Sequence, residues 1–189
     1  MPRHSLRRLC AAVCGALCVA SASAEPAMPS DDISFFDRAT QRLATTWNEG
    51  RSELYLPLHT YHFRHAYSRE KIDSFNENSF GLGIGRGAYA SNGDWHGLYV
   101  MGFRDSHDEP QYLAGYGYKT YWQIDGELKA GLGYTAFLTA RSDIARYTPI
   151  PGILPIASLE YRKVSLDTAY VPGGRGVGNI LFFWGKLRF

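Results

Sequence analysis

Three polar residues have the side chains that acyl transfer requires. Ser106 supplies a hydroxyl, His62 a base that can take its proton, and Asp105 a carboxylate that can orient the base. Every exported protein carries serine and aspartate on its surface, so a plain surface position is the alternative interpretation. His62 is distant from the other two in the sequence, and only the fold can bring the three together.

Other patterns of reactive residues are weaker. His59, His62 and His65 are spaced three apart, which on a strand places His62 opposite the other two, so we expect no shared metal. Ser106 lacks the surrounding G-x-S-x-G motif of a nucleophile elbow. The glycine-rich run 172–176 precedes no predicted helix whose dipole could bind phosphate. We therefore expect neither a metal nor a cofactor, and acyl exchange between an ester and a hydroxyl needs neither.

An export signal is predicted over residues 1–24. A basic start is followed by the apolar stretch Leu9–Ala20 and by small residues that end at Ala24. A membrane anchor is the alternative, but the apolar stretch is too short to span a bilayer. All three cysteines of the chain lie inside this segment, so the mature chain has no disulfide. The net charge of +2 indicates no nucleic-acid partner.

An amphipathic helix is predicted over Ser34–Trp47, within an N-terminal segment that covers residues 25–52. Asp31 and Asp32 are good N-cap residues, and Gly50 ends the helix. The helix could pack on a soluble core, or it could lie in a membrane interface with its aromatic residues on the apolar side. The helix alone does not decide between the two.

Residues 53–189 predict an eight-stranded antiparallel transmembrane β-barrel. Long and short connections alternate between the strands, as they do in outer-membrane barrels, and the last strand alternates up to a terminal Phe189. A soluble exported β-sandwich or a lipocalin-like carrier is the alternative. The predicted strands are Glu53–Tyr67, Ser79–Tyr89, Asp94–Arg104, Gln111–Trp122, Glu127–Arg141, Gly152–Tyr161, Val164–Val171 and Asn179–Phe189.

The order of the strands predicts where the reactive residues lie. If the mature N-terminus is periplasmic, the longer connections face outward. His62 then lies near the outer end of the first strand, and Asp105 and Ser106 begin the second outer loop. All three residues are therefore expected at the same face of the membrane.

Glycines predict a hollow, uncharged bore. Gly81, Gly83, Gly85 and Gly87 share one face of their strand, opposite bulky apolar residues that would meet lipid, and Gly117 lies on a similar face of another strand. Such a slot suits an alkyl chain. Relief of crowding in a small barrel is the alternative explanation.

Prolines predict weak points in the wall of the barrel. Pro57, Pro155 and Pro172 lie inside or at the ends of strands, where proline cannot donate a hydrogen bond to the sheet. Each could open a lateral window for lipid. An ordinary strand end is the alternative, above all for Pro172.

Several blocks of sequence, in order and at matching spacing, carry a resemblance to a known family. The chain resembles the lipid A palmitoyltransferases, the PagP family, from about Phe35 to Phe189. The blocks are Ala44–Trp47, Leu54–Pro57, Asn92–Tyr99, Phe103–Ser106, Ala114–Gly117, Leu132–Ala136, Leu154–Ser158 and Tyr170–Gly173.

The resemblance implies a tilted eight-stranded barrel in the outer membrane, an interfacial helix, and transfer of a palmitoyl chain. The donor would be the sn-1 position of a glycerophospholipid, and the acceptor would be lipid A in the outer leaflet. His62, Asp105 and Ser106 match the catalytic residues of the family, and Gly117 matches the glycine at the floor of its acyl-chain site. No cofactor is implied, and a monomer is expected. A non-enzymatic lipid-binding or adhesive barrel is the alternative.

This sequence departs from the family pattern near the predicted sites of lipid entry. Pro57, Pro155 and Pro172 match prolines that flank the lipid-access sites of the family. Ser79 stands where the family has a further proline, and the loop 142–148 differs in length and sequence. These departures bear on contacts with the lipid A head group more than on the reaction.

Overall fold

A closed β-barrel accounts for most of the residues that the computed structural model describes, 34–143 and 145–189. Each strand pairs antiparallel with its sequence neighbours, and β8 closes the barrel against β1. The predicted eight-stranded antiparallel barrel is confirmed. The strands are β1 (Arg51–His62), β2 (Gly81–Tyr89), β3 (Trp95–Arg104), β4 (Pro110–Asp125), β5 (Leu128–Arg141), β6 (Ile150–Tyr161), β7 (Val164–Val171) and β8 (Ile180–Arg188).

The two ends of the barrel differ in their connections. At the turn end the strands are joined by the short segments 90–94, 126–127 and 162–163. Gly93 and Gly126 have φ angles of 87° and 51°, a left-handed conformation that glycine adopts without strain. At the loop end the connections are longer, and they carry a short helix α2 (Arg69–Asp73) and a 3-10 turn (Ala145–Tyr147).

Helix α1 (Phe35–Glu49) precedes the barrel and matches the predicted helix. Its N-cap is Ser34, whose Oγ accepts a hydrogen bond from the Asp37 amide at 3.2 Å. The predicted caps Asp31 and Asp32 lie outside the described residues, as does the predicted export signal. Gly50 closes the helix with a hydrogen bond from its amide to the Thr46 carbonyl. In the described part of the chain, neither α1 nor α2 is long and apolar enough to cross a membrane.

Large apolar side chains cover the outside of the barrel. Ile84, Leu132 and Ile153 are 63%, 54% and 72% exposed, and Phe80 and Leu138 belong to the same belt. A closed sheet with an apolar exterior satisfies its backbone internally and buries this belt only when lipid surrounds it. The outward alternation predicted for the strands is therefore observed.

The interior has two layers. Towards the loop end lies a mainly apolar cluster that includes Tyr55, Tyr99, Phe103 and Trp184. Towards the turn end lies a layer of charged side chains, each at most 3% exposed: Glu53, Lys119, Glu160, Asp167 and Lys186. The prediction of an uncharged bore is thus wrong for this half of the barrel.

Ion pairing explains how the charged layer can be buried. Lys119 pairs with Asp167, and the Lys186 Nζ lies 3.1 Å from the Glu53 Oε1. Buried charges require such partners because the cost of removing them from water is high. The layer fills the bore with side chains and closes it at the turn end.

Candidate active site

A β-bulge turns His62 into the barrel. Pro57 pairs with Trp184 of β8 and His59 pairs with the adjacent Phe183, so Leu58 is the extra residue of the bulge. Because side chains alternate between the two faces of a strand, one extra residue changes the inward-facing positions from odd-numbered to even-numbered. Before the bulge Glu53, Tyr55 and Pro57 are buried, and after it His62 is buried with an exposure of only 3%.

His62 and Ser106 meet at the loop end. The His62 Nε2 lies 3.3 Å from the Ser106 Oγ, within hydrogen-bond distance. The loop that follows His62 is joined to the loop of Ser106, because the Asn76 amide donates to the Ser106 carbonyl at 2.9 Å. A hydroxyl next to an imidazole nitrogen is the arrangement from which a proton can be taken during acyl transfer.

Asp105 lies beside this pair, but its carboxylate is engaged elsewhere. Its Oδ1 accepts from the amides of His107 and Glu109 at 2.8 and 3.0 Å, and its Oδ2 accepts from the Arg141 Nη2 at 2.9 Å. These bonds close the tight turn that presents Ser106. The structure therefore differs from the expectation that Asp105 itself orients His62.

The carboxylate that meets His62 belongs to Glu77. Its Oε1 lies 3.1 Å from the His62 Nδ1, the nitrogen opposite the one that faces Ser106. Arg64 holds the same carboxylate through two hydrogen bonds, at 2.9 and 2.7 Å. Burial would raise the pKa of Glu77, but the hydrogen bonds from Arg64 and His62 outweigh it and lower the pKa to about 2.

Sequence reasoning missed Glu77 because the loop between β1 and β2 has no periodicity that predicts where a side chain points. The available signal was the topology. The end of this loop leads into β2, which pairs with β1, so a residue there can lie close to the end of β1. The same loop contains α2, which was also missed, and β1 ends at His62 rather than at Tyr67.

An apolar cavity lies directly beneath the pair. It has a volume of about 250 Å³ and runs from Asp105 and Ser106 at its mouth down to Tyr99 and Trp184. Most of its wall is apolar, with Met101, Phe103, Leu113, Phe137, Leu154 and Phe182. A narrow apolar site below a polar mouth suits a molecule with a hydrocarbon chain and a reactive polar end.

Strand pairing is interrupted at two places in the wall towards the loop end. The register between β1 and β2 ends where Tyr55 pairs with Gly83, and the register between β6 and β7 ends where Ile156 pairs with Ala169. Pro57 follows the first end point on β1, and Pro155 adjoins the second on β6. Pro172 comes directly after β7, at an ordinary strand end.

The comparisons with known proteins agree on one family. Residues 42–186 match the model of the family described as "Antimicrobial peptide resistance and lipid A acylation protein PagP". The chain belongs to this family. A protein of Methylobacillus flagellatus named lipid A acyltransferase PagP is 52% identical over 84% of this chain and 86% of its own length. One with the same name from Bordetella parapertussis is 47% identical over 86% of this chain and 90% of its own.

A solved structure shows a weaker likeness to this PagP-family chain. The crystal structure of Neisserial surface protein A shares 13% identity with it, at a TM-score of 0.42, over 74% of this chain and 95% of that one. Within the described residues of the family member, His, Cys, Asp and Glu form no group of three that could hold a metal ion.

Gly117 of this family member does not line the cavity, although its strand partner Thr135 does. A Cβ placed there would be 2.8 Å from the Trp95 indole and 3.7 Å from Tyr99. Trp95 is fixed in turn, because its Nε1 donates to Glu53 at 3.0 Å. The space that Gly117 leaves is therefore occupied by Trp95, so any effect of Gly117 on the cavity would act through that ring.

Other glycines on the inner face of β2 are also packed against neighbours. A Cβ at Gly85 would lie 2.9 Å from the Tyr55 ring, and one at Gly87 would lie 2.4 Å from the Glu53 carboxylate. These glycines relieve crowding, which was the alternative explanation. The hollow part of the bore is instead the cavity below Ser106.

The Ser79 hydroxyl makes a hydrogen bond at the first interruption of strand pairing. The Ser79 Oγ lies 2.5 Å from the Thr60 Oγ1, and both residues are buried. The Thr60 amide also donates to the Glu77 carbonyl at 2.8 Å. The gap between β1 and β2 is therefore bridged by hydrogen bonds outside the regular register.

Proposed function

We propose that this protein is an outer-membrane acyltransferase that moves a palmitoyl chain from the sn-1 position of a glycerophospholipid to lipid A in the outer leaflet. One observation carries the proposal. The hydroxyl of Ser106 lies 3.3 Å from the His62 Nε2 at the mouth of an apolar cavity, inside a barrel whose exterior suits lipid. Membership of the PagP family and the names of its relatives support the same reaction.

Both substrates are lipids, and the exterior of the protein suits a bilayer. The apolar belt faces the hydrocarbon region, and α1 lies in the interface with the exposed side chains of Phe36 and Trp47 towards lipid. One chain closes the barrel and carries both His62 and Ser106, which supports an enzyme that acts as a monomer.

Lipid enters from the side. The two interruptions of strand pairing, next to Pro57 and next to Pro155, lie at the level of the cavity rather than of the charged layer. A phospholipid that moves through such a gap keeps its head group in the interface while one acyl chain enters the cavity. The ester carbonyl then lies near Ser106.

The chemistry needs one proton acceptor and one site for the acyl group. His62 takes the proton of the attacking hydroxyl and returns it to the oxygen of the lysophospholipid that leaves. The attacking hydroxyl belongs either to Ser106 or directly to lipid A. Attack by Ser106 gives an acyl-serine intermediate, which a lipid A hydroxyl then attacks while His62 passes the proton of that hydroxyl to the departing Ser106 Oγ. In direct attack by lipid A, Ser106 donates a hydrogen bond to the ester carbonyl. Asp105 holds the turn that presents Ser106.

The test uses the purified barrel in detergent with a phospholipid labelled in its sn-1 chain, with and without lipid A. We expect labelled lipid A and an unlabelled lysophospholipid. Binding of the donor without conversion would contradict the proposal and favour a non-enzymatic lipid-binding barrel. Rapid quenching before lipid A is added distinguishes the two routes, because only the covalent route leaves label on the protein.

A further inference from the structure

We infer that Glu77, clamped by Arg64, is the positioning residue for His62. The inference rests on the proposed function and names the carboxylate that serves the reaction at this site. Three contacts carry it: the Glu77 Oε1 with the His62 Nδ1, the same oxygen with the His62 amide, and both carboxylate oxygens with Arg64.

The contact with Nδ1 sets the tautomer of His62. An ionised carboxylate can only accept hydrogen bonds, so Nδ1 must carry a proton to bind it. In a neutral imidazole the other nitrogen, Nε2, then keeps its lone pair. That nitrogen is the one that lies 3.3 Å from the Ser106 Oγ, where a base is needed.

The clamp of Arg64 fixes the position of Glu77. Its two guanidinium nitrogens bind the two carboxylate oxygens in parallel, an arrangement that holds the plane of the carboxylate. The Glu77 backbone is fixed as well, because its carbonyl accepts from the Thr60 amide at 2.8 Å. A carboxylate held at both ends can orient the imidazole without rearranging when charge develops on it.

Aromatic rings hold the imidazole in the plane that both contacts require. Phe75 stacks on His62 with the ring centroids 4.3 Å apart, and Tyr67 packs edge-on at 5.3 Å. The charged and titratable groups that act on His62 are Glu77, Arg64 and His107. Within the described residues, Glu77 is the acidic side chain hydrogen-bonded to His62.

The decisive variant is Glu77→Gln, assayed in the folded full-length protein. We expect kcat to fall by about 10²- to 10⁴-fold with little change in KM, because an amide no longer enforces the tautomer of His62. The acid limb of the pH–rate profile should move to lower pH, since the lost carboxylate had favoured the imidazolium. A loss of activity without this shift would overturn the inference.

Two further variants separate positioning from structure. Glu70→Gln changes an exposed acid of the same loop and should leave both kcat and the profile unchanged. Asp105→Asn disturbs the turn of Ser106, so we expect lower activity with the acid limb in its original place. An acid limb that moves with Asp105→Asn and not with Glu77→Gln would assign the role to Asp105 instead.

A measurement on the unmodified protein keeps the inference testable even if Glu77→Gln fails to fold. NMR of protein labelled with ¹⁵N-histidine reports which imidazole nitrogen of neutral His62 carries the proton. We expect Nδ1–H, and a neutral His62 protonated on Nε2 would overturn the inference. If instead His62→Ala and Ser106→Ala both keep full activity, the proposed function itself fails, whatever the tautomer is.

Discussion

At the scale of single residues, His62 and Asp105 each contact neighbours that were not predicted. His62 faces Ser106 because Glu77 occupies its other nitrogen. Asp105 presents Ser106 because Arg141 and two amides hold its carboxylate. Residue types and strand order were therefore sufficient to predict that His62 and Ser106 lie at the same end of the barrel. They were not sufficient to predict which carboxylate contacts His62, because loops carry no periodicity.

Substitution at Gly117 tests how the depth of the cavity is set. Gly117→Met should displace the Trp95 ring, because even a Cβ would come within 2.8 Å of it. We expect the ring to move into the cavity above and the preferred acyl chain to shorten by a few methylenes, each worth about 0.8 kcal/mol. Competition between donors of different chain length measures the preference.

Gly185 provides the matched control for this experiment. A Cβ there would meet Leu56 and Leu58 at an ordinary 3.9 Å, so Gly185→Ala should leave the preference unchanged. If Gly117→Met kept the original chain preference in a folded barrel, Gly117 would have no part in setting the depth.

At the scale of elements, β1 shows how a single residue changes the face of a strand. Strand alternation and the alternation of long and short connections were sufficient to predict the number of strands and their lipid-facing sides. The bulge at Leu58 was not predictable in this way, because the residue types on either side of it fit either face. Pro57 was the available signal, since a residue that cannot donate often adjoins an irregular pairing.

Deletions at the bulge test how β1 positions His62. Deletion of Leu58 alone keeps the pairs on both sides of the bulge, because Pro57 and His59 already pair with the adjacent Trp184 and Phe183, so His62 should stay inside the barrel. Deletion of both Leu58 and His59 shifts the alternation by one residue and should turn His62 towards lipid, with at least about a 1,000-fold loss of acyl transfer, comparable to removal of the base. The shift in gel mobility on heating should still report a folded barrel in both variants. Near-normal activity in the folded double-deletion variant would show that the alternation of β1 does not position His62.

At the scale of the whole molecule, the interior of the barrel is divided into a half with a cavity and a half filled by charged side chains. The cavity opens at the loop end, while Lys119, Asp167, Lys186 and Glu53 fill the turn end. Lys119 lies on the same face of β4 as Gly117, which the expectation of an uncharged bore did not take into account. Its pairing with Asp167 was not predictable, because β4 and β7 are not neighbours in the sheet and meet only across the bore.

Loss of one charge of the buried Lys119–Asp167 pair should lower the free energy of unfolding more than loss of both charges. Lys119→Met leaves the Asp167 carboxylate buried without its main partner, and we expect a loss of about 3–5 kcal/mol in the free energy of unfolding. The double variant Lys119→Met with Asp167→Leu should recover most of that loss. Urea unfolding in lipid vesicles measures both, and equal losses in the single and double variants would contradict the coupling.

The central claim is that His62 and Ser106 transfer an acyl chain to lipid A, and the lipid A of cells tests it most directly. Mass spectrometry should compare cells without the protein, with it, and with the His62→Ala or Ser106→Ala variant present in the outer membrane as a folded barrel. We expect the mass of one added palmitoyl group only with the unmodified protein. The same added mass at full yield in both variants would contradict the account.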